Sequence, residues 1–227
     1  MLPDGAALTG RSAACLDGVP LGEPDDPVHV LVPLGTRFRR TGCRIVRTKW
    51  LPDWHLSAGT PPVTKPARTA WEIASEADLV EAIAALDVLF RARKPRRDLM
   101  DPWLATFPDT PGARALVLSD ARAESPQESR ARVRITLAGF PPPVPQYEVR
   151  RNGRFVARVD LAWPEAKVAV EYDGVWHAEA QQLFRDRARL DGLVDAGWRV
   201  LHLTSPDLKH PRRFDVFCAR LRRALYS

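Results

Sequence analysis

Long apolar segments are missing from this sequence. No stretch of its 227 residues approaches the ~20 consecutive apolar residues that a membrane-spanning helix requires. The first ten residues, MLPDGAALTG, contain no basic segment followed by an apolar one, so they lack the pattern of a signal peptide. We therefore expect a cytoplasmic protein with no membrane partner.

Cysteine is scarce as well. The three cysteines, Cys15, Cys43 and Cys218, are far apart and odd in number. No CxxC pair or Cys/His cluster has the spacing of a zinc site. The pattern is typical of reduced thiols in a cytoplasmic protein.

Several catalytic signatures are also absent. The sequence contains no GxxxxGK[ST] phosphate-binding loop, no GxSxG nucleophile turn and no HExxH zinc helix. Its Ser, His and Asp residues show no spacing that favours a catalytic triad. The common signatures of nucleotide hydrolases, serine hydrolases and zinc proteases therefore give no support to those classes.

Positive charge is present in excess, and it is confined to one half of the chain. Residues 121–227 contain 19 Lys and Arg against 13 Asp and Glu, whereas residues 1–120 contain 15 of each. Nearly all of the excess is arginine, whose planar guanidinium donates paired hydrogen bonds to phosphate. The net charge of +6 permits a nucleic-acid partner without requiring one.

Composition predicts two regions, with a junction near residue 120 in the polar segment SDARAESPQES. Residues 1–120 predict a smaller mixed α/β segment, in which Thr64 is a candidate N-cap for an amphipathic helix. Residues 121–227 predict the order α-β-β-β-α-β-α.

Local signals in the second region support this order. Ser125, Pro126 and Glu128 form the pattern of a helix-starting capping box. Asn152-Gly153 predicts a tight turn between the first two strands. Gly197 is suited to ending the second helix.

The stretch RVDLAWPEAKVAVEYDGVWH, residues 158–177, places three acids in a predicted β-hairpin. Since side chains alternate along a strand, a turn centred on Pro164-Glu165 gives one apolar face. The other face then carries one base and the three acids: Arg158, Asp160, Glu171 and Asp173.

Two interpretations of this face are open. It could be solvated, with Arg158 opposite Glu171 as a cross-strand ion pair. It could instead bind a divalent cation such as Mg²⁺ or Mn²⁺, because carboxylates near one strand end repel one another. The continuous apolar run around Val168 and Val170 is typical of a strand covered on both sides, which favours the cation site.

The predicted order and these acids resemble the PD-(D/E)XK nuclease superfamily. The blocks RVDLAWPEAKVAVEYDGVWH and RDRARLDGLVDAGWRVLHLT are similar to a bacterial domain related to very-short-patch-repair (Vsr-like) endonucleases. The resemblance covers about residues 121–227 and implies an α/β, restriction-endonuclease-like core of α-βββ-α-β plus a C-terminal helix. In residues 1–120, GRSAACLDG and TKPARTAWEIA resemble a segment found beside an AbiEi-like antitoxin winged helix, here truncated.

The resemblance implies roles for individual residues. Asp160 matches the central metal-binding aspartate, and Glu171 matches the acid of the (D/E)XK element. Glu128 matches a helical glutamate that many members use around the metal, although helix capping explains it equally well. Gln146 matches a glutamine on the first strand of related domains, or is an exposed strand residue.

The sequence departs from the superfamily at Asp173, where a lysine normally positions or activates the attacking water. Aspartate could join Asp160 and Glu171 as a metal ligand, or act as a base. In the short-patch-repair relatives a histidine shortly after this strand serves as a base, and His177 lies at the comparable position. Its ordinary pKa near ~6.5 suits general-base catalysis, and a structural histidine is the alternative.

Three arginines are candidates for binding a nucleic-acid backbone: Arg158, Arg185 and Arg189. For the two helical ones, ion pairing with Asp186 or Asp191 on a solvated face is the alternative.

The sequence thus predicts a Mg²⁺- or Mn²⁺-dependent endonuclease that hydrolyses phosphodiester bonds of DNA, in repair or defence. RNA is an alternative substrate. The rival hypothesis is a catalytically inactive DNA- or partner-binding protein of a toxin–antitoxin-like pair, since the lysine is replaced and the winged helix is truncated. A protein partner or a homodimer is open under either hypothesis.

Overall fold

The structure is a computed structural model that describes residues 2–49, 54–55, 61–174 and 180–227, without the side chains of 54–55 and 180–187. The chain divides into two compact units, Met1–Ala121 and Arg122–Ser227. Each unit has its own β-sheet with helices packed on it. The mixed α/β class predicted from the sequence is confirmed.

In the described part of the first unit, five strands form a mixed sheet in the order β3-β2-β1-β5-β4. The strands are β1 (Ala7–Leu8), β2 (Val28–Pro33), β3 (Cys43–Thr48), β4 (Trp54–His55) and β5 (Val63–Thr64). The helices are α1 (Gly10–Leu16), α2 (Pro66–Ala74), α3 (Leu79–Arg91), α4 (Asp101–Thr106) and α5 (Pro111–Leu118).

One local prediction in this unit is wrong. Thr64 does not cap a helix but lies in β5, where its buried hydroxyl hydrogen-bonds the hydroxyls of Thr9 and Thr69. The predicted amphipathic helix is also divided into α2 and α3. Asp78 caps α3 by accepting the N–H groups of Val80 and Glu81, so a new helix begins there.

The second unit contains a four-stranded sheet in the order β6-β7-β8-β9. Its strands are β6 (Val144–Arg151), β7 (Arg154–Trp163), β8 (Val168–Asp173) and β9 (Arg199–Thr204). Strand β7 is antiparallel to both β6 and β8, and β9 is parallel to β8. The helices are α6 (Pro126–Leu137), α7 (Ala180–Asp195), α8 (Ser205–Lys209) and α9 (Pro211–Tyr226). The elements follow the predicted order, with the short α8 added.

Strand β8 is covered on both faces. Val168 and Val170 belong to a core cluster that includes residues of α6, α8 and α9. Ala169, between them, belongs to a second cluster with Leu193 of α7 and Trp198. All three strand residues are fully buried, as the apolar run predicts. Acids on this strand therefore lie beside a dry core.

The β7–β8 register differs from the predicted one by two residues. Trp163 pairs with Val168, because Pro164–Ala166 form a 3-10 turn and Lys167 adopts a left-handed conformation with φ 49°. A shift of two residues keeps the same side chains on the same face. The prediction that Arg158 lies opposite Glu171 is wrong, and Arg158 forms an ion pair with Glu124 instead, at 2.8 Å.

In the part of the chain that the structure describes, no helix combines the length and apolar character that a bilayer crossing requires.

Candidate active site

Three acids from three different elements lie near one another in the second unit, and one glutamine contacts two of them. Glu128 comes from α6, Asp160 from β7 and Glu171 from β8, and we name these three residues the acid cluster. The Nε2 atom of Gln146, on β6, donates to Glu128 Oε2 at 2.7 Å and lies 3.4 Å from Asp160 Oδ1. Both Glu171 and Glu128 interact electrostatically with Asp160. The glutamine therefore joins acids that are far apart in sequence.

Glu128 lies at the capped start of α6, and its carboxylate contacts Gln146; its role at a metal stays a prediction. Its backbone N–H donates to the Ser125 hydroxyl at 3.2 Å, which caps α6. Its carboxylate reaches back to the N–H of Glu124 at 2.9 Å, one residue before the expected partner of a capping box. The same Oε2 atom accepts the Gln146 amide. Capping thus holds a buried carboxylate in the acid cluster.

Asp160 is the acid whose protonation is most perturbed. Its Oδ2 atom accepts the backbone N–H of Tyr172 at 2.8 Å. The pKa of Asp160 is raised to about 6. Burial is the largest cause and the charges of Glu171 and Glu128 add to it, whereas the Tyr172 N–H and Arg189 act to lower this pKa. Asp160 would therefore gain a favourable interaction from a cation bound beside it.

Glu171 is neutralised by an arginine of α7. Its side chain is 10% exposed, and its Oε1 atom lies 2.5 Å from Arg189 Nη2. The same nitrogen donates to the backbone oxygen of Arg158 at 3.0 Å. Arg189, predicted as a phosphate ligand, is here an internal counter-ion that ties α7 to β7 and β8.

Asp173 is directed to a different partner. Its Oδ2 atom lies 3.0 Å from Nδ1 of His202, a residue of β9 that pairs in register with Glu171. Sequence analysis missed His202. A polar residue in the alternating strand WRVLHLT was a signal, but its register against β8 cannot be read from the sequence.

The backbone at Gln146 is unusual. Its φ is +52°, in the left-handed region that costs a residue with a Cβ about 1–3 kcal/mol. The β6–β7 register is the same on both sides of Gln146, where Pro145 pairs with Leu161 and Tyr147 with Val159, and it shifts between Val149 and Arg150. In this register Gln146 lies opposite Asp160, and the side chains of the two residues approach to 3.4 Å. A strained backbone at a polar, buried contact is typical of functional sites.

Two of the predicted site residues lie outside what can be described. His177 is outside the described residues, and so is the side chain of Arg185. Arg158 is half-exposed and forms its ion pair with Glu124.

The donor chemistry of the acid cluster fits Mg²⁺ or Mn²⁺. Three carboxylates and an amide oxygen are hard oxygen donors, and mutual repulsion of the acids is relieved by a cation. Among the described side chains, however, no three His, Cys, Asp or Glu are already grouped as metal ligands. Glu171 is held by Arg189, and Asp173 contacts His202. Binding would therefore require side chains of the cluster to turn toward the ion.

Fold and site together define a mixed α/β protein whose second unit has buried acids at the junction of a helix and three strands. Two uncharacterized proteins from two strains of Mycobacterium tuberculosis, MT2308 and Rv2248, are each 34% identical to it over 199 residues. The alignment covers 85% of this chain and 73% of each relative. The chain belongs to the family of these mycobacterial proteins. No family model matches the sequence, and no solved structure matches it.

Proposed function

We propose that the protein is a cytoplasmic, metal-dependent nuclease whose second unit has a restriction-endonuclease-like core and hydrolyses phosphodiester bonds of DNA. The observation that carries the proposal is the contact of Gln146 with both Glu128 and Asp160, with Glu171 beside them. Acids that repel one another in a partly dry site are expected where a protein binds a cation.

The order of elements supports the same function. A helix, three antiparallel strands, a second helix and a parallel strand follow one another in the second unit. The acids lie on the first helix and on the second and third strands, as the resemblance to PD-(D/E)XK nucleases implies. The resemblance itself stays a prediction, and so does that of the first unit to AbiEi-associated segments.

Each residue of the cluster has a role in this proposal. Glu128, Asp160 and Glu171 would hold Mg²⁺ or Mn²⁺, which when bound supplies Lewis-acid stabilisation of the charge on the phosphate. Gln146 orients the carboxylates of Glu128 and Asp160 through its amide. The Tyr172 N–H fixes the second oxygen of Asp160.

The residue that positions water differs from the superfamily pattern. Asp173 replaces the lysine, and it shares a hydrogen bond with His202. His177 as general base and Asp173 as a further metal ligand stay predictions.

The test is cleavage by purified protein beside two variants. Plasmid, single-stranded DNA and RNA are incubated with Mg²⁺ or Mn²⁺, and Asp160→Ala is compared with Asp215→Ala, which removes an exposed acid of α9. We expect cation-dependent cleavage of DNA that falls about 100-fold or more in Asp160→Ala and is unchanged in Asp215→Ala. Cleavage that survives in Asp160→Ala would come from a contaminant and would overturn the proposal. If RNA is cleaved in preference to DNA, then RNA is the substrate of the protein.

A second candidate is a catalytically inactive protein that binds DNA or a partner in a toxin–antitoxin-like system. The observation that favours it is the carboxylate at position 173, which cannot activate water by positive charge. Calorimetry with Mn²⁺ separates the two: the nuclease binds the ion and Asp160→Ala does not, whereas the inactive protein shows no binding in either form.

A further inference from the structure

The β6–β7 hairpin extends beyond the rest of its sheet. Strands β6 and β7 pair from Val144 and Ala162 out to Arg151 and Arg154. Strand β8 pairs with β7 only at Leu161–Trp163, within the described ladder. We name the outer part, residues 147–151 and 154–159, the distal ribbon. It is two-stranded, and Val156 packs against the core cluster that includes Leu193 of α7.

The tip of the distal ribbon is basic. It carries Arg150, Arg151 and Arg154, and the sequence has no acid between residues 149 and 159. The first two arginines are more than half exposed, with an ion pair to Glu148 at 2.8 Å and one to Asp195 at 3.9 Å. Such exposed pairs contribute at most about 1 kcal/mol, so phosphate can replace the carboxylate at little cost. Arg154 is exposed and forms no ion pair among the described residues.

A large apolar side chain lies among these arginines. Phe155 is 57% exposed, and it pairs across the ribbon with Arg150. Its strand neighbours Val156 and Ala157 pack inward on the cluster of α7, but the Phe155 ring does not. An exposed aromatic ring between cations fits a partner that offers anionic groups and apolar surface within a few ångströms of each other. Nucleic acid has both, in its phosphates and its bases.

Two of the arginines that the sequence predicts for phosphate binding form ion pairs in the structure, Arg158 with Glu124 and Arg189 with Glu171. The side chain of Arg185 is outside the described residues, and phosphate binding by these three stays a prediction.

The distal ribbon supplies further basic groups: Arg154 lies on β7 with Asp160, and Arg150 and Arg151 lie on β6 with Gln146. Asp160 lies six positions after Arg154 on β7, a distance of about 20 Å at ~3.3 Å per residue. That length corresponds to about six base-pair steps of duplex DNA at ~3.4 Å each.

We infer that the distal ribbon binds duplex DNA in the major groove, which is about 12 Å wide and admits a two-stranded β-ribbon. Arg150, Arg151 and Arg154 contact phosphates, and Phe155 packs against apolar base edges such as the thymine methyl group. The ribbon thereby positions the duplex with its backbone at the acid cluster. This inference rests on the proposed nuclease function for its class of partner.

The experiment measures binding without cleavage. The full chain is titrated with a fluorescent 20-base-pair duplex in EDTA, at several salt concentrations, and anisotropy gives the affinity. The variant Arg150→Ser/Arg151→Ser/Arg154→Ser is compared with Arg212→Ser/Arg220→Ser/Arg223→Ser, which removes the same charge from exposed positions of α9.

We expect the ribbon variant to bind about tenfold or more weakly, with the slope of log affinity against log salt less steep by about 2.7, or ~0.9 per lost phosphate contact. The α9 variant is expected to change the slope by less than about 1. Equal effects of the two variants would show that only net charge matters and would overturn the inference. An equal loss of affinity for a single-stranded oligonucleotide would overturn the assignment to the major groove.

A second variant removes the ring alone. Phe155→Ala is expected to weaken duplex binding about threefold to tenfold with the salt slope unchanged. Phe155→Trp, which keeps an aromatic ring at this position, is expected to bind the duplex as tightly as the wild type. Because Phe155 is exposed, its removal should leave the thermal unfolding temperature unchanged. If Phe155→Ala binds the duplex with unaltered affinity, the Phe155 ring does not contact the DNA.

Hydrogen exchange gives a readout that needs no variant. Adding the duplex should protect the amides of residues 150–155 in the wild-type protein, and unprotected amides would contradict the inference. Cleavage assays distinguish its failure from that of the proposed function. Cation-dependent cleavage with an unprotected ribbon leaves the nuclease in place, whereas absence of both binding and cleavage overturns both.

Discussion

The two units treat buried acids in opposite ways. In the first unit, Glu72 and Glu76 are each paired with an arginine. Glu76 accepts from Arg11 at 2.8 Å, and Glu72 pairs with Arg68 at 2.6 Å on the same helix. In the second unit, Glu128, Asp160 and Glu171 lie together, and the ion pair that reaches them among the described contacts is that of Arg189 with Glu171.

This difference shows in the causes of the pKa shifts. Burial raises the pKa of Glu72, but the nearby charges of Arg68 and Arg44 act to lower it. Burial also raises the pKa of Asp160, and there the charges of two further acids add to the shift. A protein gains no folding stability from acids placed side by side. We infer that the first arrangement serves stability, whereas the second is retained for binding.

The largest effect is expected from breaking the buried pair of the first unit. Arg68→Met leaves Glu72 buried without its guanidinium and should lower the free energy of unfolding by about 3–5 kcal/mol. Urea denaturation at pH 7 measures the change. The double variant Arg68→Met/Glu72→Leu is the control, and it should recover most of the loss. A single variant as stable as the wild type would mean that the pair is not buried in solution.

Neutralising an acid of the second unit should raise the free energy of unfolding, whereas breaking the Arg68–Glu72 pair lowers it. The folded pKa of Asp160 is about 6 against an ordinary 3.8, so the unfolded chain loses this proton first as pH rises. The contribution of the protonated Asp160 to the free energy of unfolding is therefore fully present below about pH 4, and it is lost as the pH rises through about 6. Asp160→Asn in EDTA should therefore be more stable than wild type by about 1–3 kcal/mol at pH 8, and equal to it near pH 4.

The matched substitution in the first unit is Glu72→Gln, which should destabilise because Arg68 stays buried without its partner. Thermal unfolding of both variants across pH 4–8 gives the comparison. If Asp160→Asn is destabilised at pH 8, the acid cluster is not under electrostatic strain.

A smaller effect is expected from the backbone of Gln146. Both Gln146→Gly and Gln146→Ala lose the amide, but only glycine adopts φ near +52° without strain. We expect the glycine variant to be more stable than the alanine variant by about 0.5–1 kcal/mol. The same two substitutions at Glu148, an exposed residue two positions along the strand, should rank in reverse. An identical ranking at both positions would refute the strain.

The smallest effect is expected at the exposed pair of the second unit. Arg158 and Glu124 are 49% and 52% exposed, so their double-mutant cycle to alanine should give a coupling below about 0.5 kcal/mol that vanishes in 1 M salt. The cycle for Glu171 and Arg189, whose acid is buried, should give a larger value. Similar couplings for both pairs would remove the contrast between solvated and buried charges in this unit.

Much of the second unit is predictable because its signals are local. Asn152-Gly153 gives the turn, Ser125 gives the start of α6, and alternation gives β7 at its observed bounds. The β7–β8 register is not predictable in the same way. Lys167 in a left-handed conformation lengthens the loop, and lysine has no special preference for that conformation.

Some features of the candidate site are likewise predictable from local signals, and others depend on long-range packing. The placement of Asp160 and Glu171 on one face of adjacent strands is predictable from the alternation of side chains. A register shift of two residues does not change the face on which they lie. The contacts of Gln146 with Glu128 and of Asp173 with His202 join residues 18 and 29 positions apart in sequence, and helix packing or strand order brings them together. His177 stays a prediction.

The sequence by itself determined which residues alternate, where α6 is capped and which face of the β7–β8 hairpin carries three acids, because these depend on neighbours a few residues away. Only the tertiary structure decided which acids share a site. Docking of α6 against β7 and β8 brings Glu128 to Gln146, and the parallel pairing of β9 with β8 takes Asp173 to His202. Such contacts depend on how distant elements pack, and no local pattern encodes that packing.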